Sequence, residues 1–580
     1  MDSPQILKSF TLSTAQEAAA LAHGGDVSVT AGAGTGKTRT LVARYLALLC
    51  GGLNLRQVVA ITFTRKAARE MRNRVRQDVG GYLRAGALSA EELGRWQELY
   101  NELDAARIGT IHQLCADILR THPAEVGIDP QFAVLDETQA ALLVQEAVEA
   151  ALAWAVESES LAALFGLLTE RKLQELVVDL LRRRLAVAQA IKAAPAQEIL
   201  AHWALRLEEA QAEAVEQLLA NPAFIAAQQT LLHNQAHNAD DKREIQRQRA
   251  LSALNSLAGE STAGRLREMG ALGEIKLTGG SQRNWPGGRE QLDEVKEALR
   301  QLRELYGDQP VLAMRLNDFD EKLAAAMPAI YSLFDYAAVA YKKLKEEREA
   351  LDFDDLEALA IRLLEEHAPV RDYWRDQVGA LLVDEFQDTN ERQCYFIRLL
   401  CPDPGKLFIV GDAKQSIYRF RGADVAVFAR EKEQIEREDG DLIDLDISYR
   451  AHGTLLQGMN DLLGPVLGAD APDLDPWVAP FAPLRAGTKE AGYSLRAPYV
   501  EFHLALGTKA EGLPRAAEAL AGRLIALHQE HGLDYGEMAV LCRASSSFHA
   551  YEDAFDSASI PYMTVAGKGF YDRPEIRDLL

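Results

Sequence analysis

Cysteine is scarce: five in 580 residues, at positions 50, 115, 394, 401 and 542, with no CxxC pair and no His-rich ligand spacing. That excludes a disulfide framework and a Cys/His zinc module, and it favours free, mostly buried thiols in a reducing, cytoplasmic setting. A hydrophobic leader is missing as well, since MDSPQILKSF carries an early Asp and no apolar core, so no secretory signal is expected. No apolar run reaches membrane length uninterrupted. Even AALLVQEAVEAALAWAV, starting at Ala140, is broken by Gln and Glu, so neither a transmembrane helix nor a membrane partner is expected. Positive charge is in deficit, with 63 Lys+Arg against 86 Asp+Glu and a net charge of −23. Taken alone, this argues weakly against a nucleic-acid partner. The basic residues cluster, however, so the global balance does not decide the matter.

The chain is long enough for roughly four domains at about 150 residues each. Its 48% hydrophobic and 26% charged residues are those of a globular protein. From 27 to 121, short β-rich runs (VSVTA, then VVAITFT at Val58 to Thr64) alternate with helical patterns, the signature of βα units feeding a parallel sheet. From about 122 to 350, Ala, Leu, Glu, Gln and Arg recur at helical spacing with almost no strand-like run, which predicts a helical insertion. Within it KLTGGSQRNWPGG, Lys276 to Gly288, predicts an exposed loop. Strand-like runs resume at ALLVD, KLFIVGD and LIDLDISY. The spacing therefore predicts a discontinuous α/β domain, 1–121 plus 351–445, closing across the insertion. A second α/β segment is expected over 446–580, with strands at Ala539 to Arg543 and from Pro561.

Two motifs carry most of the chemistry. AGAGTGKT, Ala31 to Thr38, follows a strand and opens a helix, the context in which a glycine-rich string cradles phosphate. Ala31, Gly32, Ala33, Gly34, Thr35, Gly36, Lys37, Thr38 and Arg39 are candidate nucleotide contacts. Lys37 would reach the β/γ oxygens, and the Thr38 hydroxyl would share a Mg²⁺ with Asp384. LLVDEFQD, Leu381 to Asp388, ends an apolar strand in adjacent carboxylates, where Asp384 would hold the metal and Glu385 would orient water. An isolated acidic pair is usually only a helix start. The upstream phosphate loop outweighs that reading.

Other candidates gain weight from these two. The Gln16 amide, behind Phe10 and Leu12, can both donate to and accept from an adenine edge. Arg65, Lys66, Arg69, Arg72, Arg74 and Arg76 share one short helix behind Phe63 and Thr64, a source of phosphate contacts and a stacking ring. Thr110 and His112 sit at a strand end. VGDAKQSIYRFRGAD places Gln415 after a strand and interleaves Tyr418, Arg419, Phe420 and Arg421, side chains able to stack bases and grip phosphates. DISYR ends a strand with Tyr449, suited to stacking, and Arg450, suited to offsetting phosphoryl charge.

In this order, the motifs resemble those of the UvrD/Rep-like superfamily-one DNA helicases, and the long helical insertion resembles the RecB/AddA branch. LVDEFQDTN, GDAKQSIYRFRGA and SYR carry the resemblance, which runs from Gln16 to Leu580. It implies an α/β fold with a P-loop NTPase, RecA-like domain (1A), a large helical insertion over 122–350 (1B) and a partial second RecA-like domain over 446–580 (2A). The implied activity is an ATP- and Mg²⁺-dependent 3′→5′ helicase or translocase of recombination or repair, acting on single-stranded DNA and duplex junctions. The possible protein partner it implies is AddB- or RecC-like. Carried over by motif, Gln16 reads adenine, Lys37 and Thr38 form the Walker A pair, and Asp384 and Glu385 form the Walker B pair. Gln415 senses the γ-phosphate, Tyr449 stacks on adenine and Arg450 is an arginine finger. Phe63, Thr64, Arg65, Thr110, His112, Tyr418, Phe420 and Arg421 fall on DNA-contacting positions. Phe420 stands where close relatives carry Trp, and DFDD at Asp352 to Asp355 resembles the return from the insertion to 1A. The resemblance stops at YDRPEIRDLL, before domain 2B, before segments resembling TxHxxKGLE and VAxTRA, and before any nuclease domain. It thus implies an amino-terminal fragment with little turnover alone. The alternatives are a DNA- and ATP-binding module that works through a partner protein without unwinding, and a non-helicase P-loop ATPase whose insertion binds protein.

Overall fold

The structure, a computed structural model, describes residues 4–85, 88–193, 198–256, 261–468, 478–479, 481–487 and 499–565, with the backbone alone at 192, 193, 421 and 509. Two compact units emerge, one formed by 1–130 with 355–580 and the other by 131–354. Among the described residues the strands are β1 Val27–Ala31, β2 Val58–Ile61, β3 Ile108–Gly109, β4 Ala133–Val134, β5 Ala350–Leu351, β6 Ala380–Val383, β7 Leu407–Gly411, β8 Asp441–Leu445, β9 Ile447–Ser448 and β10 Arg485–Ala486.

Six of these strands build a parallel sheet in the order β3-β2-β6-β7-β1-β8, as the βα alternation predicts. The inner strands β2, β6 and β7 are apolar and buried at every position, as parallel strands covered on both faces must be. Edge strand β8 instead exposes Asp441 and Asp444, which discourages further strand addition. Helices Lys37–Cys50, Arg65–Arg84, Ile111–Thr121, Glu391–Leu400 and Val425–Arg437 follow β1, β2, β3, β6 and β7. The helix Arg65–Arg84 shows why these segments fold locally. Thr64 Oγ1 accepts from Ala67 N at 3.0 Å to cap it, and Ala68, Met71, Val75 and Val79 recur at three- or four-residue spacing to bury one face.

Sequence-distant strands are locked together by Asp26. Its buried carboxylate accepts from Gly405 N (2.7 Å), Leu407 N (3.0 Å) and Arg398 Nη1 (2.9 Å), and Arg398 also meets Glu431. These bonds align the start of β1 with the start of β7, giving the register Val27↔Phe408.

The second unit is helical, with β4 pairing β5 as its one ladder among the described residues. It contains two cores. Helices Glu137–Glu157, Glu170–Arg182 and Asp318–Glu346 meet through Ala147, Val148, Val177, Phe334 and Ala337, while a second group, including Pro222–His233 and Gly288–Gly307, packs around Leu231, Met269 and Leu299. Glu137–Glu157 and Asp318–Glu346 are long and apolar enough to span a membrane, and here they pack on each other. The loop 276–288 is largely exposed, but Arg243 holds the carbonyls of Lys276, Leu277 and Gly279, Asp241 holds Ser281 N and Asn284, and Trp285 is buried.

Residues 446 onward depart from expectation. Helices Gly453–Leu467, Lys509–His531 and Phe548–Ser557 form, but Ala539 to Arg543 and 561–565 are not strands, and the remainder of the second run lies outside the described residues. An extended run becomes a strand only with a ladder partner, and no strand pairs with it among the described residues. Leu541 is accordingly 96% exposed.

Replacing Asp26 by Ala removes a buried carboxylate with three donors and leaves Arg398 under-compensated. The expected loss is about 3 kcal/mol or more, read as a lower denaturation midpoint for the sheet-containing unit.

Candidate functional site

The strands of the sheet deliver their chemistry at carboxyl ends, where open α/β sheets bind ligands. After β1 the chain turns through Gly34 (φ +77°) and Gly36 (φ +87°) into the helix Lys37–Cys50. These left-handed angles favour glycine, and a Cβ on Gly36 would lie 2.6 Å from Gln16 Nε2. Buried Thr35 closes the turn, its hydroxyl donating to Gly32 O at 2.9 Å, whereas Ala33 is exposed at its rim. The first turn of the helix then presents unpaired N–H groups together with Lys37, Thr38 and Arg39, an anion-binding arrangement. Arg39 is exposed, its guanidinium 5.8 Å from the Phe10 ring centre. Gln16, 2% exposed, donates to Thr35 O (2.8 Å) and accepts from Ser13 N (2.9 Å). The amide thus braces the loop and retains one donor and one acceptor capacity for an adenine edge.

β6 delivers Asp384 and Glu385. Lys37 Nζ donates to Glu385 Oε2 at 2.9 Å, so the two principal motifs meet directly across 348 residues of sequence. Burial, and then repulsion from Glu385, raise the Asp384 carboxyl to about 6 against the pull of Lys37. Asp388 is raised to about 6 by burial first and Glu385 second. Glu385 itself has φ +51°, strained for a residue with a side chain. Its partner Gln387 is a residue to which the sequence motifs assign no separate role. Gln387 Nε2 donates to Glu385 Oε2 (2.9 Å), Gln387 Oε1 accepts from Asp412 N (2.9 Å), and Asp412 Oδ2 accepts from Gln415 Nε2 (2.8 Å). The only sequence signal for Gln387 and Asp412 is that both lie just past strand ends.

The ends of β2 and β7 bring the aromatic candidates together. Phe63 and Tyr418 lie with ring centres 4.6 Å apart, and Tyr418 and Phe420 6.0 Å apart. Phe420 is 80% exposed, a stacking surface open to solvent. The Arg421 side chain lies outside the described residues. The basic helix divides its labour. Arg72 donates to Ile108 O (2.8 Å) and Arg76 to Asp104 (2.7 Å), leaving Arg65, Lys66 and Arg69 exposed. Arg74 faces the nucleotide loop, because its charge acts on Asp384 and, with Arg39, on Asp78, whose carboxyl is raised chiefly by burial.

The remaining candidates adjoin β3 and β9. Tyr449 N donates to Gly34 O (2.8 Å) and Ser448 Oγ to Ala33 O (3.0 Å), so Tyr449 and Arg450, both exposed, flank the phosphate loop. Thr110 caps the helix Ile111–Thr121, accepting from Gln113 N at 3.3 Å. His112 Nε2 lies 3.1 Å from buried Glu357, which also accepts from Arg392 and Gln393 at 2.7 Å each. This network braces His112. Burial opposes ionisation of Glu357, but His112, Arg392 and Gln393 more than compensate and hold its carboxyl below 4.5. A depressed carboxylate stabilises the fold above its unfolded value and loses that contribution as pH falls through the folded one. Glu357→Gln should therefore cost about 2 kcal/mol at pH 7. The gap between it and the parent protein should close in denaturation curves as the pH is lowered below 4.5.

The donor set fits a nucleotide polyphosphate with a hard divalent cation. The loop amides and Lys37 suit phosphate, while Thr38 and the raised carboxyl of Asp384 offer oxygen ligands to Mg²⁺, which typically takes one or two carboxylates and completes its shell with phosphate and water. Comparison with known proteins agrees. The UvrD/REP helicase N-terminal domain pattern matches residues 12–436, and the UvrD-like helicase C-terminal domain pattern matches 443–580. Among curated relatives, the chain is similar to the A subunit of the ATP-dependent helicase/nuclease of Alkaliphilus oremlandii (26% identity; 97% of this chain, 50% of the relative) and to that of Streptococcus sanguinis (26%; 96% and 48%). The corresponding protein of Syntrophomonas wolfei is 29% identical over 79% of this chain and 38% of its own length. The chain spans about half or less of the length of these relatives. With the phosphate loop, the acidic strand end and the aromatic stripe gathered at the carboxyl ends of one parallel sheet, and with the family pattern running through all three, this chain belongs to the UvrD/REP helicase family.

Proposed function

We propose that this chain is the motor portion of an ATP-dependent DNA helicase that moves 3′→5′ along single-stranded DNA towards duplex junctions in recombination or repair. The observation that carries this reading is the Lys37–Glu385 contact at 2.9 Å, set beside the stripe Phe63–Tyr418–Phe420. On this reading 1–121 with 351–445 is ATPase domain 1A, 122–350 is insertion 1B, and 446–580 belongs to 2A. The relatives are named as one component of a multi-subunit helicase/nuclease, which supports an AddB-like partner and a cytoplasmic DNA-processing role.

In this assignment the Gly32 to Gly36 amides and Lys37 bind phosphate, Gln16 and Tyr449 hold the adenine, and Arg39 adds positive charge at the loop. Mg²⁺, held by Thr38 and Asp384, would neutralise phosphate charge when bound with ATP. Glu385 leaves Lys37 to accept a proton from water, Gln415 reads the γ-phosphate, and Arg450 offsets developing charge there. Phe63, Tyr418 and Phe420 stack bases, while Thr64, Arg65, Thr110, His112 and Arg421 contact the strand. Closing and reopening of the nucleotide site would step the DNA between the pockets at Phe63 and Phe420.

Strand separation on tailed duplexes tests both the activity and its direction. The intact protein should unwind a duplex with a 3′ single-stranded tail and leave a 5′-tailed one paired. Glu385→Gln should bind a fluorescent ATP analogue as the parent does while losing at least about a hundredfold in turnover. Equal unwinding from both tails would refute the polarity, and normal turnover in Glu385→Gln would refute the role of that glutamate.

A further inference from the structure

We propose that Gln387 is the positioning residue through which the aromatic DNA loop controls Glu385, a proposal that rests on the DNA-motor reading above. Gln387 is 1% exposed, and both ends of its amide are engaged. Its Nε2 donates to the same Glu385 oxygen that Lys37 occupies, each at 2.9 Å. A carboxylate oxygen gripped by an ammonium and an amide is poorly disposed to take a proton from water. The structure therefore holds Glu385 in a restrained state, on a backbone strained at φ +51°.

The other end of Gln387 belongs to the loop. Oε1 accepts from Asp412 N at 2.9 Å, and the main-chain carbonyl of Gln387 accepts from Ser416 Oγ at 3.1 Å. Asp412 and Ser416 bracket Gln415 and immediately precede Tyr418, which packs on Phe63. The end of β7 accommodates this amide, since a Cβ on Gly411 would lie 2.9 Å from Gln387 Oε1. A base stacking on Tyr418 or Phe420 displaces the loop, and the loop carries Asp412 N and Ser416 Oγ with it. Gln387 follows and releases Glu385 from Lys37. Occupancy of the stripe is thereby converted into freedom of the catalytic carboxylate by one side chain of fixed length. This differs from a γ-phosphate sensor, because Gln387 meets the glutamate and the loop without needing to touch nucleotide.

The test is steady-state ATP hydrolysis by the intact protein with and without a single-stranded oligonucleotide, comparing the parent with Gln387→Met, which keeps length and loses both hydrogen bonds. The DNA-stimulated to basal ratio should fall about tenfold in kcat, while KM for ATP and Kd for the oligonucleotide stay within about twofold. A purely structural role would change KM and Kd as well. Ser416→Ala, which removes only the bond to the Gln387 carbonyl, should lower the ratio about threefold, and it carries the test alone if Gln387→Met does not fold. A stimulated parent with unchanged ratios in the folded variants overturns the relay alone. A parent whose hydrolysis ignores DNA overturns the DNA-motor reading and the relay together.

Discussion

The placement of β1 between β7 and β8 is the constraint on which the site depends. Val27 pairs with Phe408 on one side and Asp441 on the other, so a strand near the amino terminus is bounded by strands from beyond the helical unit. Asp26 sets the register through backbone amides, which cannot slip as side-chain contacts can. Once β1 is fixed, the phosphate loop at its end must lie near the ends of β6 and β7, and Lys37 reaches Glu385 without further adjustment.

The electrostatics of the site follow from this convergence. Asp384, Glu385 and Asp388 are crowded at one strand end, and burial with mutual repulsion raises Asp384 and Asp388 to about 6. Lys37 compensates at close range, and the charge of Arg74 adds to it. The cluster is short of positive charge as it stands, the condition in which a bound cation gains most. The overall charge of −23 says nothing of this. What matters is that the exposed Arg65, Lys66 and Arg69 follow the aromatic stripe while the carboxylates are buried behind it.

Local patterns were legible in the sequence, and pairings between distant residues were not. AGAGTGKT and LLVDEFQD announce themselves because phosphate binding and metal binding need fixed residue types at fixed spacing, and the parallel sheet follows from runs such as VVAI and LFIVG. The run of arginines reads as one basic face, yet Arg72 and Arg76 serve Ile108 and Asp104, a division that depends on where β3 lies. His112 reads as a surface contact, but its partner Glu357 is 245 positions away by numbering and approaches only in the folded unit. Gln387 was visible as a letter in a motif, but its function comes from two bonds that run in opposite directions. The strands expected at Ala539 to Arg543 and from Pro561 have suitable composition, but a strand also requires a neighbour.

The central claim is that the nucleotide site and the aromatic stripe are two ends of one device. Its most direct test is the ATP hydrolysis rate of the unaltered, intact protein as single-stranded DNA is titrated in at low salt, where phosphate contacts are strongest. The account predicts a saturable rise in rate that weakens as salt is added. A rate that stays flat while the DNA demonstrably binds would contradict it.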